Sequence, residues 1–231
     1  MATLHLIPTP IAEAQTQYID ASLRDVIIAI KVWCVEELRT ARRFLKLVDR
    51  NINIDELTFY VVNEHGSAEI QKCIKHLLSG QDVGLLSEAG CPAIADPGSE
   101  LVAAAQMKSI TVMPYVGPSS LLLALMGSGL NGNKFSYNAY VPAKNPDRIA
   151  AIRKLCEAVR NTEASQIFIE APYRNDALMQ DIVQHAPPQM KLSVACDLQT
   201  AQQFLQTKTI AEWKHDMPKL HKKPTVFILG L

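Results

Sequence analysis

Short apolar runs rich in β-branched residues alternate with segments of helical periodicity along the whole chain. The predicted strands cover residues 4–8, 25–31, 58–62, 83–87 and 110–115, then 166–170, 191–195 and 225–229. Several are apolar almost without interruption, as parallel strands buried on both faces are. Predicted helices lie between them, over 36–48, from Ser67 to Gly80, from 147 to 159 and over 176–185. The alternation predicts an α/β fold with mainly parallel, partly mixed sheets.

The length of 231 residues suits two domains, and a run of Gly-Pro-Ser-Ser after residue 116 marks the boundary. We therefore expect an N-terminal α/β domain over residues 1–115 and a C-terminal α/β domain over residues 116–231. The chain as a whole has no net charge, which argues against binding nucleic acid by charge alone. The first domain nevertheless carries a net charge of −4 and the second a net charge of +4. The two halves are thus suited to different partners.

The composition, with 48% apolar and 20% charged residues, is typical of a folded protein. The five cysteines are scattered and form no C-x-x-C pair, which predicts reduced thiols and neither a disulfide framework nor a metal site. No apolar run reaches the roughly 18 residues that would span a membrane. A cytoplasmic protein without a membrane partner is the expectation.

The segment Ser87–Gly98, which follows a predicted strand, is the most informative stretch of the chain. It contains two glycines, two prolines and two carboxylates, a composition that predicts a stiff and shaped loop. Open α/β sheets bind ligands at the carboxyl ends of their strands, where this loop lies. The alternative is an ordered turn in which Asp96 or Ser99 caps the next helix.

Two further junctions also follow predicted strands. Val116-Gly117-Pro118-Ser119-Ser120 leads into a helix, whose first amides can hold an anionic group or simply receive a serine cap. Glu170-Ala171-Pro172-Tyr173-Arg174 places a carboxylate and a guanidinium four residues apart. That pair is compatible with a structural ion pair as well as with a functional one.

Taken in order, these junctions resemble the tetrapyrrole methylase superfamily of S-adenosylmethionine-dependent methyltransferases. The resemblance is greatest to the branch that methylates the 2′-hydroxyl of a cytidine in small-subunit ribosomal RNA. The matching elements span nearly the whole chain, and they are Thr9-Pro10-Ile11, Glu36-Glu37-Leu38-Arg39, Ser87-Glu88-Ala89-Gly90-Cys91-Pro92, Ala95-Asp96-Pro97-Gly98, Gly117-Pro118-Ser119-Ser120 and Glu170-Ala171-Pro172-Tyr173-Arg174.

The resemblance implies two consecutive α/β domains with S-adenosylmethionine held in a cleft between them, commonly in a homodimer. It also implies a set of cofactor-binding residues, many of which would act through backbone groups. They are Pro10, Ser87, Glu88, Ala89, Gly90, Pro92, Gly117, Pro118 and Ser119 from the first domain, with Tyr137, Asn138 and Tyr140 from the second. No metal is implied, because the sulfonium already makes the methyl carbon electrophilic.

The matching elements also carry the polar groups that are candidates for catalysis, although none is assigned the role of base. These candidates are Glu36, Arg39, Glu64, Glu170 and Arg174. Basic side chains that either contact phosphates or form a solvated surface are Arg39, Arg42, Arg43, Lys46, Lys214, Lys219, Lys222 and Lys223.

The chain departs from the family pattern at several positions. Ala12-Glu13 replaces the expected Gly-Asn, Leu38 stands where the family has Thr, and Tyr173 stands where it has His. The expected function is ribose 2′-O-methylation of small-subunit ribosomal RNA. Two alternatives stay open, which are methylation of a tetrapyrrole or other small molecule and a non-catalytic module that binds S-adenosylmethionine.

Overall fold

The computed structural model describes residues 2–12, 15–62 and 67–231. The chain divides into two compact units, Met1–Ser119 and Ser120–Leu231. No charged residue lies between positions 116 and 119, so these units carry the same net charges of −4 and +4 as the predicted domains.

The first unit alternates five strands with four helices and one 3₁₀ turn. In chain order its described elements are β1 Thr3–Leu6, α1 Ala21–Ala29, β2 Val32–Val35, α2 Leu38–Val48, the turn Ile54–Glu56, β3 Thr58–Val61, α3 Ser67–Leu78, β4 Val83–Leu86, α4 Ser99–Met107 and β5 Thr111–Pro114. The strands form one sheet in the order β3-β2-β4-β1-β5. Every neighbouring pair is parallel, so all five carboxyl ends lie along one edge.

Helices cover both faces of this sheet. Alternate residues of a strand point to opposite faces. Trp33 of β2 belongs to the same buried cluster as Phe44 of α2, whereas Cys34 belongs to the cluster that contains Ile74 of α3 and Leu101 of α4. The central strands β2 and β4 are buried along their whole length. This two-sided burial explains why their sequences are apolar without alternation.

The predicted strand over residues 25–31 is wrong, because these residues belong largely to α1. The Asp20 side chain accepts a hydrogen bond from the Leu23 amide at 2.8 Å and starts the helix. Leu23 and Ile27, four residues apart, are its buried side chains. A short apolar run is compatible with either a helix or a strand, and the N-cap decides here. The strand that follows is Val32–Val35.

The second unit has five strands and four helices with a 3₁₀ turn. Its elements are α5 Ser120–Ser128, β6 Phe135–Tyr140, α6 Asp147–Thr162, β7 Ser165–Ile169, the turn Pro172–Arg174, α7 Asn175–His185, β8 Lys191–Cys196, β9 Phe204–Thr209, α8 Ile210–Trp213 and β10 Thr225–Gly230. The sheet order is β6-β7-β10-β8-β9. Strands β6 and β7 are parallel, and the other three pairs are antiparallel.

The sequence missed β6 and β9, which are the two edge strands of this sheet. Neither has a side chain in the fully buried class, so neither shows the apolar pattern of the central strands. The core instead lies around Phe168, Trp213 and Phe227, which are inaccessible to solvent. The predicted α/β class is confirmed, with one parallel sheet and one mixed sheet. Within the described ranges, no helix is long and apolar enough to cross a membrane.

Candidate functional site

Four loops meet at the carboxyl edge of the parallel sheet in the first unit. They follow β1, β2, β4 and β5, and the predicted cofactor residues of this unit all lie on the first, third and fourth of them. Open α/β sheets usually bind their ligands at this edge. The fold therefore brings together segments that are 108 residues apart in the sequence, from Thr9 to Gly117.

Backbone hydrogen bonds join the loops after β1 and β4. The Thr9 amide donates to the Gly90 carbonyl at 2.9 Å, and the Gly90 amide donates to the Thr9 carbonyl at 3.0 Å. The Ser87 hydroxyl, buried at the end of β4, donates to the same Gly90 carbonyl at 3.2 Å. The Thr9 hydroxyl donates to the Ser87 carbonyl at 3.3 Å. These contacts hold Ser87–Gly90 in one defined conformation.

The loop after β5 approaches the other two at van der Waals distance. Gly90 has a φ of +83°, and a Cβ atom built on it would lie 3.3 Å from the Pro118 carbonyl oxygen. A Cβ atom on Gly117 would lie 2.1 Å from the Cβ of Pro8, so only glycine fits there. The Cys91 thiol donates to the Pro118 carbonyl at 3.3 Å. Small residues thus allow three backbone segments to line one site.

The second half of the loop after β4 is strained. Ala93 and Ala95 have φ values of 63° and 66°, which L-residues other than glycine seldom adopt. Gly98, with a φ of +120°, is the N-cap of α4, and no side chain caps that helix. The alternative interpretation of Asp96 or Ser99 as a helix cap is therefore wrong. The Asp96 carboxyl group instead lies near the carboxyl groups of Glu36 and Glu88.

Glu36, Glu88 and Asp96 place three carboxyl groups around this loop. The Glu36 carboxylate accepts a hydrogen bond from the Glu88 amide at 3.1 Å, which joins the end of β2 to the loop after β4. Burial raises the pKa of Glu36 above its usual value. Burial, together with the negative charges of Glu36 and Glu88, raises the pKa of Asp96 to about 6. The site is therefore acidic and suited to a cationic group.

Two cavities flank these loops within the first unit. One of about 470 Å³ lies against the strained segment and is lined by Val62, Ala93, Asp96 and Ser99, among others. The other, of about 450 Å³, lies between the loop after β1 and helix α2, with Glu88 at its border. Both volumes are within the range of pockets that hold small ligands. Among the described residues, no group of three or more His, Cys, Asp or Glu side chains could hold a metal ion.

In the second unit, Glu170 and Arg174 form an ion pair at the carboxyl end of β7. Arg174 Nη2 lies 2.5 Å from Glu170 Oε1, and the Glu170 side chain is inaccessible to solvent. Arg174 Nη1 donates to the Tyr173 hydroxyl at 2.9 Å, while the guanidinium lies over the Tyr173 ring. Glu170 Oε2 and Arg174 Nε are buried and have no hydrogen-bond partner among the described residues. The pair thus holds Arg174 beside an aromatic ring that is 61% exposed.

The predicted cofactor residues of the second unit lie on the neighbouring strand β6. Tyr137 pairs with Ile167 in parallel register, and a bulge separates it from Tyr140, which pairs with Ile169. The Asn138 side chain donates to Gln166 Oε1 at 3.1 Å and so faces the sheet. Tyr140 is 59% exposed and lies at the end of β6, opposite Ile169, which is the residue before Glu170.

The predicted catalytic candidates fall into separate places. Glu36 lies in the loop cluster of the first unit, and Arg39 is exposed on the first turn of α2. Glu170 and Arg174 lie in the second unit, and Glu64 is outside the described residues. The basic residues Lys214, Lys219 and Lys222 are exposed, and Lys223 lies 3.5 Å from Asp197.

Sequence reasoning missed Arg148, which is buried on the first turn of α6. It pairs with Asp181 at 3.0 Å and donates hydrogen bonds to the carbonyl groups of Pro142 and Ala143. These bonds anchor the segment that follows Tyr140. An arginine inside a helical pattern looks like a surface residue, so no sequence signal distinguished it from its exposed neighbours.

Comparisons with known proteins agree in sequence and in fold. No model of a known protein family matches the sequence. Curated relatives named ribosomal RNA small subunit methyltransferase I do match it. The relative from Vibrio cholerae is 29% identical over 209 residues, which are 90% of this chain and 69% of that protein. The relative from Micromonospora olivasterospora is 33% identical over 180 residues, which are 78% of this chain and 54% of that protein.

A shorter relative, from a Hydrogenobaculum species, bears the same name. It is 30% identical over 201 residues, which are 84% of this chain and 80% of that protein. The chain thus spans between about half and four fifths of the length of these three relatives.

Two solved structures share the fold along almost the whole chain. The methyltransferase CobJ matches with a TM-score of 0.63 at 13% identity, over 99% of this chain and 93% of that one. The uroporphyrin III C-methyl transferase from Thermus thermophilus matches with a TM-score of 0.58 at 15% identity, over 99% of this chain and 97% of that one. At these identities the likeness establishes the fold.

The fold, with its shaped loops at the carboxyl edge of a parallel sheet, is of the tetrapyrrole methylase type. The sequence relatives then narrow it. The chain belongs to the ribosomal RNA small subunit methyltransferase I family. This confirms the resemblance found in the sequence. Since the relatives are named methyltransferases, a methyl-donor cofactor is implied.

Proposed function

We propose that this chain transfers a methyl group from S-adenosylmethionine to a ribose 2′-hydroxyl of small-subunit ribosomal RNA. The observation that carries the proposal is the backbone-built loop cluster after β1, β4 and β5, found in a chain whose relatives are named for the small-subunit RNA. The same proposal includes a homodimer in the cytoplasm.

Two features of the loop cluster support S-adenosylmethionine as its ligand, which are its open backbone surface and its negative charge. Gly90 and Gly117 keep side chains out of the place where three loops converge. The cofactor carries a sulfonium and an ammonium group, and Glu36, Glu88 and Asp96 supply negative charge close to the loop. Pro10, Ser87–Gly90, Pro92 and Gly117–Ser119 are the residues that would hold it in this unit. Tyr137, Asn138 and Tyr140 are proposed to contribute from the second unit.

The bound cofactor would supply an electrophilic methyl carbon, which needs no metal. The protein has to orient the acceptor, exclude water and receive the proton that the hydroxyl loses. Glu36 is suited to hold a proton, because burial raises its pKa above that of an exposed carboxyl group. Arg174, held by Glu170, offers a fixed positive charge for phosphate or for a developing alkoxide.

The test combines purified protein, methyl-labelled S-adenosylmethionine and small ribosomal subunits from cells that lack this gene. Label in an RNA linkage that resists alkaline cleavage would support the proposal, because alkali needs a free 2′-hydroxyl to cut RNA. No label in RNA, with cofactor binding measured in the same sample, would refute it. Transfer to a tetrapyrrole or another small molecule would then support the alternative acceptor. Binding without transfer to any acceptor would support a non-catalytic module.

A further inference from the structure

The cavity of about 450 Å³ beside α2 is lined mainly by apolar residues, with Arg43 among its polar ones. Its apolar lining comes from Pro10 and Ile11 of the loop after β1 and from Phe44 and Leu47 of α2. Phe44 is buried, whereas Leu47 is 47% exposed although it is a large apolar residue. Leu47 therefore adds accessible apolar surface to the lining of the cavity.

One face of helix α2 lines this cavity. Thr40, Arg43, Phe44 and Leu47 occupy positions i, i+3, i+4 and i+7, so they lie on one face, and all four line the cavity. Arg39, Arg43 and Lys46 follow the same spacing on the adjacent line of the helix, and all three are exposed. The helix contains no acidic residue between Leu38 and Val48. Of these three basic residues Arg43 lines the cavity, so the row of positive charge reaches the cavity at Arg43.

The opposite side of the cavity borders the candidate cofactor loop. Glu88 is one of the residues that line the cavity, and it belongs to the loop Ser87–Gly90. The Glu88 amide donates a hydrogen bond to the Glu36 carboxylate at 3.1 Å, which fixes the position of Glu88 at the edge of the cavity. A ligand in the cavity would lie next to the loop that we propose to hold the methyl donor.

We infer that this cavity binds one unstacked base of a single-stranded RNA segment, with the adjoining phosphates on Arg39, Arg43 and Lys46. The inference rests on the proposed function and assigns a place to its substrate. A flat heteroaromatic ring suits the apolar walls, and the charge row suits a chain of phosphates. Proteins recognise single-stranded RNA by this combination of an apolar contact for the base and cations for the backbone.

The first test fills the cavity with Leu47→Trp and uses Leu78→Trp as the matched control. Leu78 is an exposed leucine of α3 on the other face of the same sheet, 60% accessible. The KM of the wild-type protein for RNA in the methylation reaction is the reference value. We expect Leu47→Trp to raise the KM for RNA at least tenfold, with S-adenosylmethionine affinity within twofold of wild type and an unchanged melting temperature. Leu78→Trp should behave as wild type.

The second test changes charge and does not depend on filling the cavity. Arg43→Glu and Lys75→Glu make the same change in net charge, the first on the row beside the cavity and the second on the exposed side of α3. We expect Arg43→Glu alone to weaken binding of a single-stranded oligoribonucleotide at least tenfold and to lower its salt dependence by about one ion, as loss of a phosphate contact does.

The outcomes separate this inference from the proposed function. If the wild-type protein methylates RNA while Leu47→Trp and Arg43→Glu match their controls, the cavity does not bind the substrate and the inference is overturned. If the wild-type protein neither binds nor methylates RNA, the proposed function fails and the inference with it. Equal losses in Arg43→Glu and Lys75→Glu would indicate a diffuse charge effect and would also overturn it.

Discussion

Thr9 and Gly90 exchange two backbone hydrogen bonds across 81 positions of sequence, at 2.9 and 3.0 Å. This short antiparallel bridge ties the loop after β1 to the loop after β4, whose strands are neighbours in the sheet. Because both hydrogen bonds join main-chain atoms, the conformation of the loop depends on backbone geometry more than on side-chain identity.

The bridge predicts that Gly90→Ala weakens cofactor binding more than its effect on stability explains. Gly80→Ala is a matched control, because Gly80 has a φ of +90° with no atom within 4 Å of a built Cβ. Each variant should lose about 1–2 kcal/mol of unfolding free energy through the positive φ. Only Gly90→Ala should lower S-adenosylmethionine affinity, by at least tenfold in calorimetry. Equal affinities in the two variants would contradict a role for this loop.

The packing of Gly117 against Pro8 predicts a large effect for a single methyl group. Gly117→Ala should lower the unfolding free energy by about 1–3 kcal/mol, because the added carbon overlaps Pro8. Gly132→Ala, where a Cβ meets open space and φ is not positive, should change it by less than about 0.5 kcal/mol. Urea denaturation measures both. A Gly117→Ala protein as stable as wild type would show that the loops after β1 and β5 can separate without cost.

Asp96 predicts a pH-dependent stability with a defined sign. Its pKa is about 6 in the folded protein, above the ordinary value of 3.8, because burial and two nearby carboxylates disfavour its charge. Between pH 4 and pH 6 the folded state thus binds more protons than the unfolded state, so this group makes the unfolding free energy fall as pH rises. The contribution becomes constant only about one pH unit above this pKa, where both states have lost the proton.

Asp96→Asn should remove that fall and should be more stable than wild type at pH 7. Denaturant unfolding at pH 4.5 and pH 7 measures the difference for both proteins, with Glu100→Gln on the first turn of α4 as the control. If the wild type and Asp96→Asn lose the same stability over this interval, Asp96 is not the titrating group.

The ion pair of Glu170 and Arg174 predicts that removing Arg174 lowers the unfolding free energy, because the buried Glu170 carboxylate would lose its counter-charge. Arg174→Ala should lower the unfolding free energy by about 2–3 kcal/mol, less than the full value for a buried pair since the Arg174 side chain is 29% exposed. Lys208→Ala breaks an ion pair with the exposed Asp216 and should cost about 1 kcal/mol or less. The double variant Glu170→Leu with Arg174→Ala should recover part of the loss, since no unpaired charge remains. A double variant less stable than Arg174→Ala would contradict this account.

The sequence by itself determined the alternation of strands and helices, the acidic and basic halves and the positions of the loops that carry the family pattern. Apolar runs such as 83–87 and 225–229 predicted buried strands, since strands covered on both faces have no polar side. Gly80 marked the C-terminal end of α3 for a local reason, because its φ of +90° suits the glycine that follows a helix. The family itself was recognised from these loops, and the relatives confirm it.

Tertiary structure decided what no local pattern contains. The edge strands β6 and β9 form by pairing with neighbouring strands although none of their own residues is fully buried. The contact of Gly117 with Pro8 and the burial of Arg148 also depend on partners distant in sequence. The cavity beside α2 exists for the same reason, since one wall comes from a loop and the other from a helix about 30 residues later. Periodicity reports the burial of one element, whereas a site is made by elements that only the folded chain brings together.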